Sequence, residues 1–150
     1  MAIDVTTEIV IDRPLQEVAA YAADPTNAPE WYENIESVDW KTQPPVRVGS
    51  KMDFVADMLG RRLAYTYEVT ELVPDRRLVM RTAQGPFPME TTYTWEAVDG
   101  GRTHMTLTNR GMPSGFAKVG SRIMAAAVRR ETTKNLKCLK ALLENRAAGS

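Results

Sequence analysis

Cysteine is nearly missing from this chain: Cys138 is the single one in 150 residues. One thiol forms no intrachain disulfide and no cysteine-based zinc site, and this usage favours a reducing compartment, so a cytoplasmic location is expected. Histidine is as scarce, with His104 alone. Any Ser-His-Asp triad would have to be built around it, yet Met105 and Leu107 take the apolar side of its strand and send His104 to the polar side. No HExxH, CxxC, P-loop or GxGxxG pattern occurs, so neither a metal nor a cofactor is expected. The serine in Gly111-Met112-Pro113-Ser114-Gly115 is out of register for a nucleophile elbow, and Ser114 reads instead as the cap of a following helix. Long apolar runs are lacking as well. The opening MAIDVTTEIVI has no basic stretch, so neither a signal peptide nor a transmembrane helix is expected.

An excess of either charge is also absent, since Lys+Arg and Asp+Glu both number 19. That balance gives no reason to expect DNA as a partner. It conceals an asymmetry: residues 117–150 hold eight basic side chains (Lys118, Arg122, Arg129, Arg130, Lys134, Lys137, Lys140, Arg146) against Glu131 and Glu144. A basic helical end of this kind is either a solvated face or a site of peripheral contact with a membrane or ribosome. What remains is the composition of an ordinary globular protein, 43% hydrophobic and 25% charged. At this length it predicts one domain over 1–150, as a monomer or homodimer.

The hydrophobic pattern changes period twice. Ile3, Val5, Thr7, Ile9 and Ile11 alternate with polar neighbours, which predicts a half-buried strand. Asp12-Arg13-Pro14 then switches the period, with Asp12 as the expected cap and Leu15, Val18, Ala19 and Ala22 on one helical face. Asp24-Pro25 starts a second short helix carrying Trp31 and Tyr32. Strands are expected near 35–42, 48–58, 62–73, 77–84, 88–98 and 102–110, broken by Pro44-Pro45, Gly60, Pro74-Asp75, Gly85-Pro86 and Asp99-Gly100-Gly101. Such short connections make antiparallel hairpins. From Phe116 the period becomes helical to about Arg146, through Val119, Ile123, Met124, Ala127, Val128, Leu139 and Leu142. One curved antiparallel sheet around that long helix covers both apolar faces.

This order of elements resembles the START-like, or SRPBCC, superfamily with its helix-grip fold. Within it the chain is most similar to the polyketide cyclase/dehydrase and lipid-transport family of small bacterial proteins. The residues carrying the likeness are Ile9-Val10-Ile11-Asp12-Arg13-Pro14 with Val18, and Asp24-Pro25-Thr26-Asn27 with Trp31. Val48-Gly49-Ser50, Val69-Thr70-Glu71-Leu72-Val73-Pro74, Gly101-Arg102-Thr103 and Leu139-Lys140 with Leu142-Leu143-Glu144 extend it along nearly the whole chain. The resemblance implies an α+β fold, a seven-stranded curved antiparallel sheet around a long C-terminal helix, with two short helices after the first strand. It also implies a cavity between sheet and helix.

Strand alternation turns Tyr65, Tyr67, Tyr93 and Trp95 inward, where each offers a large apolar face and a polar tip. Met80 and Met89 join them, facing Phe116, Ile123, Met124 and Ala127 of the helix, and flexible methionines suit varied apolar shapes. Trp31, Phe87 and Met112 are the expected mouth. Glu131 and Asn135 fall one turn apart on the helix's apolar stripe. A carboxyl there must be paired, hydrated or protonated. Either a sheet residue such as Arg81 bonds or pairs with it, or Glu131 and Asn135 form the polar end of the cavity. The function expected is binding of a small, mostly hydrophobic molecule of lipid, polyketide or quinone type. The alternatives are a cofactor-independent polyketide cyclase, aromatase or dehydratase using Tyr65, Tyr67, Tyr93 or Glu131 for proton transfer, and a membrane- or ribosome-associated interaction module.

Overall fold

The structure, a computed structural model, describes residues 3–58, 60–112 and 120–148. Strand β1 (Ile3–Ile11) leads into helix α1 (Leu15–Ala23), a 3-10 turn (Pro25–Asn27) and the single-turn helix α2 (Ala28–Trp31). Six strands follow: β2 (Ile35–Trp40), β3 (Lys51–Met58), β4 (Arg61–Val73), β5 (Arg77–Gln84), β6 (Met89–Val98) and β7 (Arg102–Gly111). Helix α3 (Ser121–Ala148) completes the described residues, and its 28 residues span about 42 Å. The sheet is antiparallel throughout, in the order β1-β7-β6-β5-β4-β3-β2. The curved antiparallel sheet and long helix expected from the residue pattern, and the helix-grip fold that the resemblance implies, are found.

Local chemistry explains the turns. Gly100 and Gly101 both take positive φ, 79° and 71°, as the tight β6–β7 hairpin requires of two adjacent residues. Strand β3 begins at Lys51 rather than at Val48, because residues 47–50 close a turn in which the Arg47 N–H donates to Ser50 Oγ at 2.9 Å. The expected cap at Asp12 is corrected: Pro14 holds the N-cap position of α1 with no side-chain cap. The Asp12 N–H is engaged elsewhere, donating to Glu144 Oε2 at 2.8 Å. Asp24 does cap, its Oδ1 accepting from the Thr26 N–H at 3.0 Å. Asp24→Ala is therefore expected to cost about 0.5–2 kcal/mol, read as a lowered urea midpoint with an unchanged slope.

At the edge of the sheet, β1 has a free row of backbone groups, which in an open sheet invites pairing with another chain. Helix α3 occupies that row. Arg129 donates to Thr6 O at 3.0 Å and Lys140 to Val10 O at 2.9 Å, while Lys140 also pairs with Glu144 at 2.6 Å. The hydrogen bonds from Lys140 and the Asp12 N–H hold the Glu144 carboxyl below the usual carboxylate range. On the outer face of the sheet, His104 lies 3.6 Å from Glu8, as the strand's alternation predicts.

Candidate functional site

The concave face of the sheet and α3 meet unevenly. Toward the end of the helix, Leu136, Leu139 and Leu143 join Ile11, Val18, Trp95 and Met105 in one packed, buried cluster. Toward its start the helix carries Met124, Ala127, Val128, Glu131, Thr132 and Asn135, and a cavity of about 160 Å³ lies between these and the sheet. Side-chain size accounts for the change, since Ala127 and Thr132 fill less space than the leucines that follow. Strand β6 crosses the same boundary. Met89, Thr91 and Tyr93 line the cavity, while Trp95, two residues and about 6.7 Å further on, belongs to the packed half.

An aromatic wall faces the helix. Phe54 and Tyr65 stack with centroids 5.5 Å apart, and Tyr65 meets Tyr67 edge-on at 5.0 Å. Met58, Met80 and Met89 complete the sheet side, and Ala28 and Tyr32 close the cavity beneath α2. Phe87, in the loop between β5 and β6, is buried with Leu63 and Met124 and seals one end.

The polar atoms of the wall fall into two groups. The phenols are mostly spoken for: the Tyr32 and Tyr93 hydroxyls lie 2.7 Å apart, and Tyr67 meets Thr91 at 2.8 Å, which donates on to Asn109 Oδ1 at 2.9 Å. Burial penalises their ionised form. It pushes Tyr67 up to about 12, against a partial pull from the Thr91 hydroxyl, and raises Tyr32, Tyr65 and Tyr93 as well. These four are donors, not bases, at neutral pH. The amides are different. Asn135, 1% exposed, accepts from the Glu33 N–H at 3.2 Å through Oδ1, but its buried Nδ2 has no partner among the described residues. Asn34 donates through Nδ2 to Asp57 O at 3.1 Å, and its buried Oδ1 has none among the described residues. Each unmade bond costs about 1–3 kcal/mol.

The family model described as "Polyketide cyclase / dehydrase and lipid transport" matches residues 2–144. The chain belongs to this family. Solved structures carry the same fold. TTHA0849 from Thermus thermophilus superposes with a TM-score of 0.81 at 20% identity, over 99% of this chain and 100% of that one. The Zhui aromatase/cyclase from Streptomyces sp. R1128 gives 0.78 at 17% identity, over 98% and 96% of the two chains. A START superfamily protein from Mycobacterium smegmatis gives 0.81 at 12% identity, over 95% and 97%. No curated protein matches the chain.

In this member of the polyketide cyclase/dehydrase and lipid-transport family, the cavity gathers most of the residues to which the sequence points. Tyr65, Tyr67, Met80, Met89, Tyr93, Met124, Ala127, Glu131 and Asn135 line it, with Phe87 at its end. Three placements are corrected. Trp95 and Trp31 are buried in the packed cluster and do not line the cavity; Trp31 packs behind the wall on Tyr32, with centroids 4.3 Å apart. Ile123 is 66% exposed and off the wall, while Met112, 55% exposed, follows the wall residue Gly111 in the chain. Ile123 precedes Met124 by one 100° step, which turns it away from the sheet. Phe116 and Ser114 lie outside the described residues. Arg81 does not reach Glu131; it faces outward and pairs with Glu90 at 2.5 Å. The Glu131 carboxyl makes no hydrogen bond or ion pair with a described residue. Asn34, Tyr32 and Thr91 join the wall without having been expected there. Thr91 shares the alternation of Tyr93, whereas Asn34 sits in the turn before β2 with no periodicity to flag it.

The basic excess of the C-terminal segment gathers on the outer side of α3. Arg122, Arg129, Arg130, Lys134 and Lys137 flank Ala125, Ala126 and Thr133 there, with no acidic side chain among the described residues lining that face. No helix among the described residues is long and apolar enough to cross a membrane.

Proposed function

We propose that the protein binds a small, mostly apolar molecule between the aromatic wall of the sheet and the first half of α3. The observation that carries this is the cavity itself. Protein interiors pack to crystal density and rarely leave voids larger than a water, yet about 160 Å³ is open here beside a solidly packed half. Space of this order takes an aromatic ring, and the methionines around it can yield to a larger one. A panel of fatty acids, quinones and fused-ring aromatics, screened by native mass spectrometry and thermal shift, tests the reading. A true ligand at a hundredfold excess over Kd adds about 2.7 kcal/mol of stability. Failure of every class to bind would remove the reading.

Proton-transfer chemistry on the same ligand, as in a polyketide cyclase, aromatase or dehydratase, is the second reading. Glu131 favours it, because its carboxyl stands on the wall without a partner among the described residues. With the phenols held neutral, Glu131 can serve a bound molecule as the base, and Tyr32 or Tyr93 as the acid. Glu131→Gln separates the two readings. If the parent converts a poly-β-ketone chain and the variant binds it without conversion, the protein is an enzyme. If the parent binds and converts nothing, it is a carrier.

A further inference from the structure

We propose that the cavity selects hydroxyl-bearing ligands, reading one polar group as an acceptor through Asn135 and as a donor through Asn34. The inference rests on the binding reading above and specifies its ligand chemistry.

Both amide orientations are forced by the backbone. The Glu33 N–H can only donate, so Asn135 must turn Oδ1 to it, which leaves Nδ2 as the unspent donor. The Asp57 carbonyl can only accept, so Asn34 must turn Nδ2 to it, which leaves Oδ1 as the unspent acceptor. Neither amide can flip without placing two donors or two acceptors against each other. Both residues belong to the cavity wall. They sit at the same part of it, because Glu33, which holds Asn135, is the chain neighbour of Asn34.

The two unspent atoms do not bond each other. A group that satisfies both must accept from Nδ2 and donate to Oδ1, and a hydroxyl is the smallest that does so. A ketone, quinone or ether satisfies Nδ2 alone and leaves Asn34 Oδ1 buried and unpaired. An ionised carboxylate brings no proton for Asn34 and adds charge beside Glu131. The preference is thus built from what the site would leave unpaired with the wrong ligand, which discriminates more sharply than apolar fit.

The test is a matched series on the unaltered protein: 2-naphthol, its methyl ether 2-methoxynaphthalene, and naphthalene, with Kd from titration calorimetry. 2-Naphthol is expected to bind about tenfold more tightly than either of the others. In Asn135→Leu, close to the parent in shape, the preference for 2-naphthol over naphthalene should fall to about twofold or less, with naphthalene bound at least as well as before. Equal binding of 2-naphthol and its methyl ether to the parent overturns the hydroxyl selection and leaves the binding reading standing. No binding by any of the three overturns the hydroxyl selection, and the binding reading falls with it only if the fatty acids and quinones of the wider panel fail as well. The parent series decides the matter even where Asn135→Leu destabilises the fold.

Discussion

Trp95→Ala is expected to cost about 3–5 kcal/mol of folding stability, enough to remove a large part of a typical domain's margin. The indole is 4% exposed and sits in the packed half of the interior, opposite the fully buried Met105 in the β6–β7 ladder. Its neighbour across the boundary, Tyr93, meets it at 6.0 Å. Trp95→Phe should cost far less, because the indole Nε1 is buried without a partner and phenylalanine removes that unpaired donor along with the smaller ring. Urea unfolding of the two variants beside a ligand titration checks this. A small stability loss with a large loss of affinity would put Trp95 on the cavity wall instead.

The second large effect is alkaline. All five tyrosines are raised above their ordinary value, burial being the leading cause in each. Below about pH 10 the folded and unfolded chains hold the same phenol protons, and this contribution is fully present. As pH rises toward about 12, the unfolded chain releases them while the cavity phenols keep theirs, so stability falls by about 1.4 kcal/mol per unit for each. Tyr32, Tyr65, Tyr67 and Tyr93 together give a slope of about 5.5 kcal/mol per unit. Phenolate absorbance should therefore appear in one step with loss of near-ultraviolet circular dichroism, not as a gradual titration of the native protein. Tyr67→Phe should make the slope shallower by about a quarter. A native spectrum that survives with several phenols ionised would show that these groups are solvated.

The elements of the fold are legible in the sequence because each depends on local pattern. Alternation in Leu63-Tyr65-Tyr67-Val69 tells which side of β4 is covered, and burial follows it except at Thr66, which is buried on the other side with its hydroxyl donating to Asp53 Oδ1 at 2.6 Å. The same rule, applied to Met80, sends Arg81 outward, where it meets Glu90. The boundary between hollow and solid interior is not local. It depends on which turn of α3 stands level with which rung of the sheet, and neither period contains that offset. Trp95 has the same inward parity as Tyr93 and yet falls on the other side of the boundary. Trp31 departs from expectation for a related reason, since a one-turn helix says little about where its aromatic residue points. The Asn34 and Asn135 pair is half legible: the helical face indicates Asn135, but only the Glu33 and Asp57 backbone groups reveal which atoms are left over.

The sheet order has a consequence for how the protein is made. Strands β2 to β7 each pair with a sequence neighbour, whereas β1 pairs with β7 alone, Ile3 opposite Gly111 and Ile11 opposite Thr103. At about 5–20 residues per second of synthesis, β1 waits roughly 5–20 s for the strand it belongs beside. Its exposed face, with Asp4, Thr6 and Glu8, interrupts the apolar positions that would otherwise pair with other nascent chains. The long-range closure of β1 on β7 makes folding slow relative to a helical bundle, and α3 must then arrive to occupy the free edge. Because α3 is also one wall of the cavity, the place for a ligand comes into being only with this final docking. A ligand that binds there meets a finished fold and holds its last-joined pieces together.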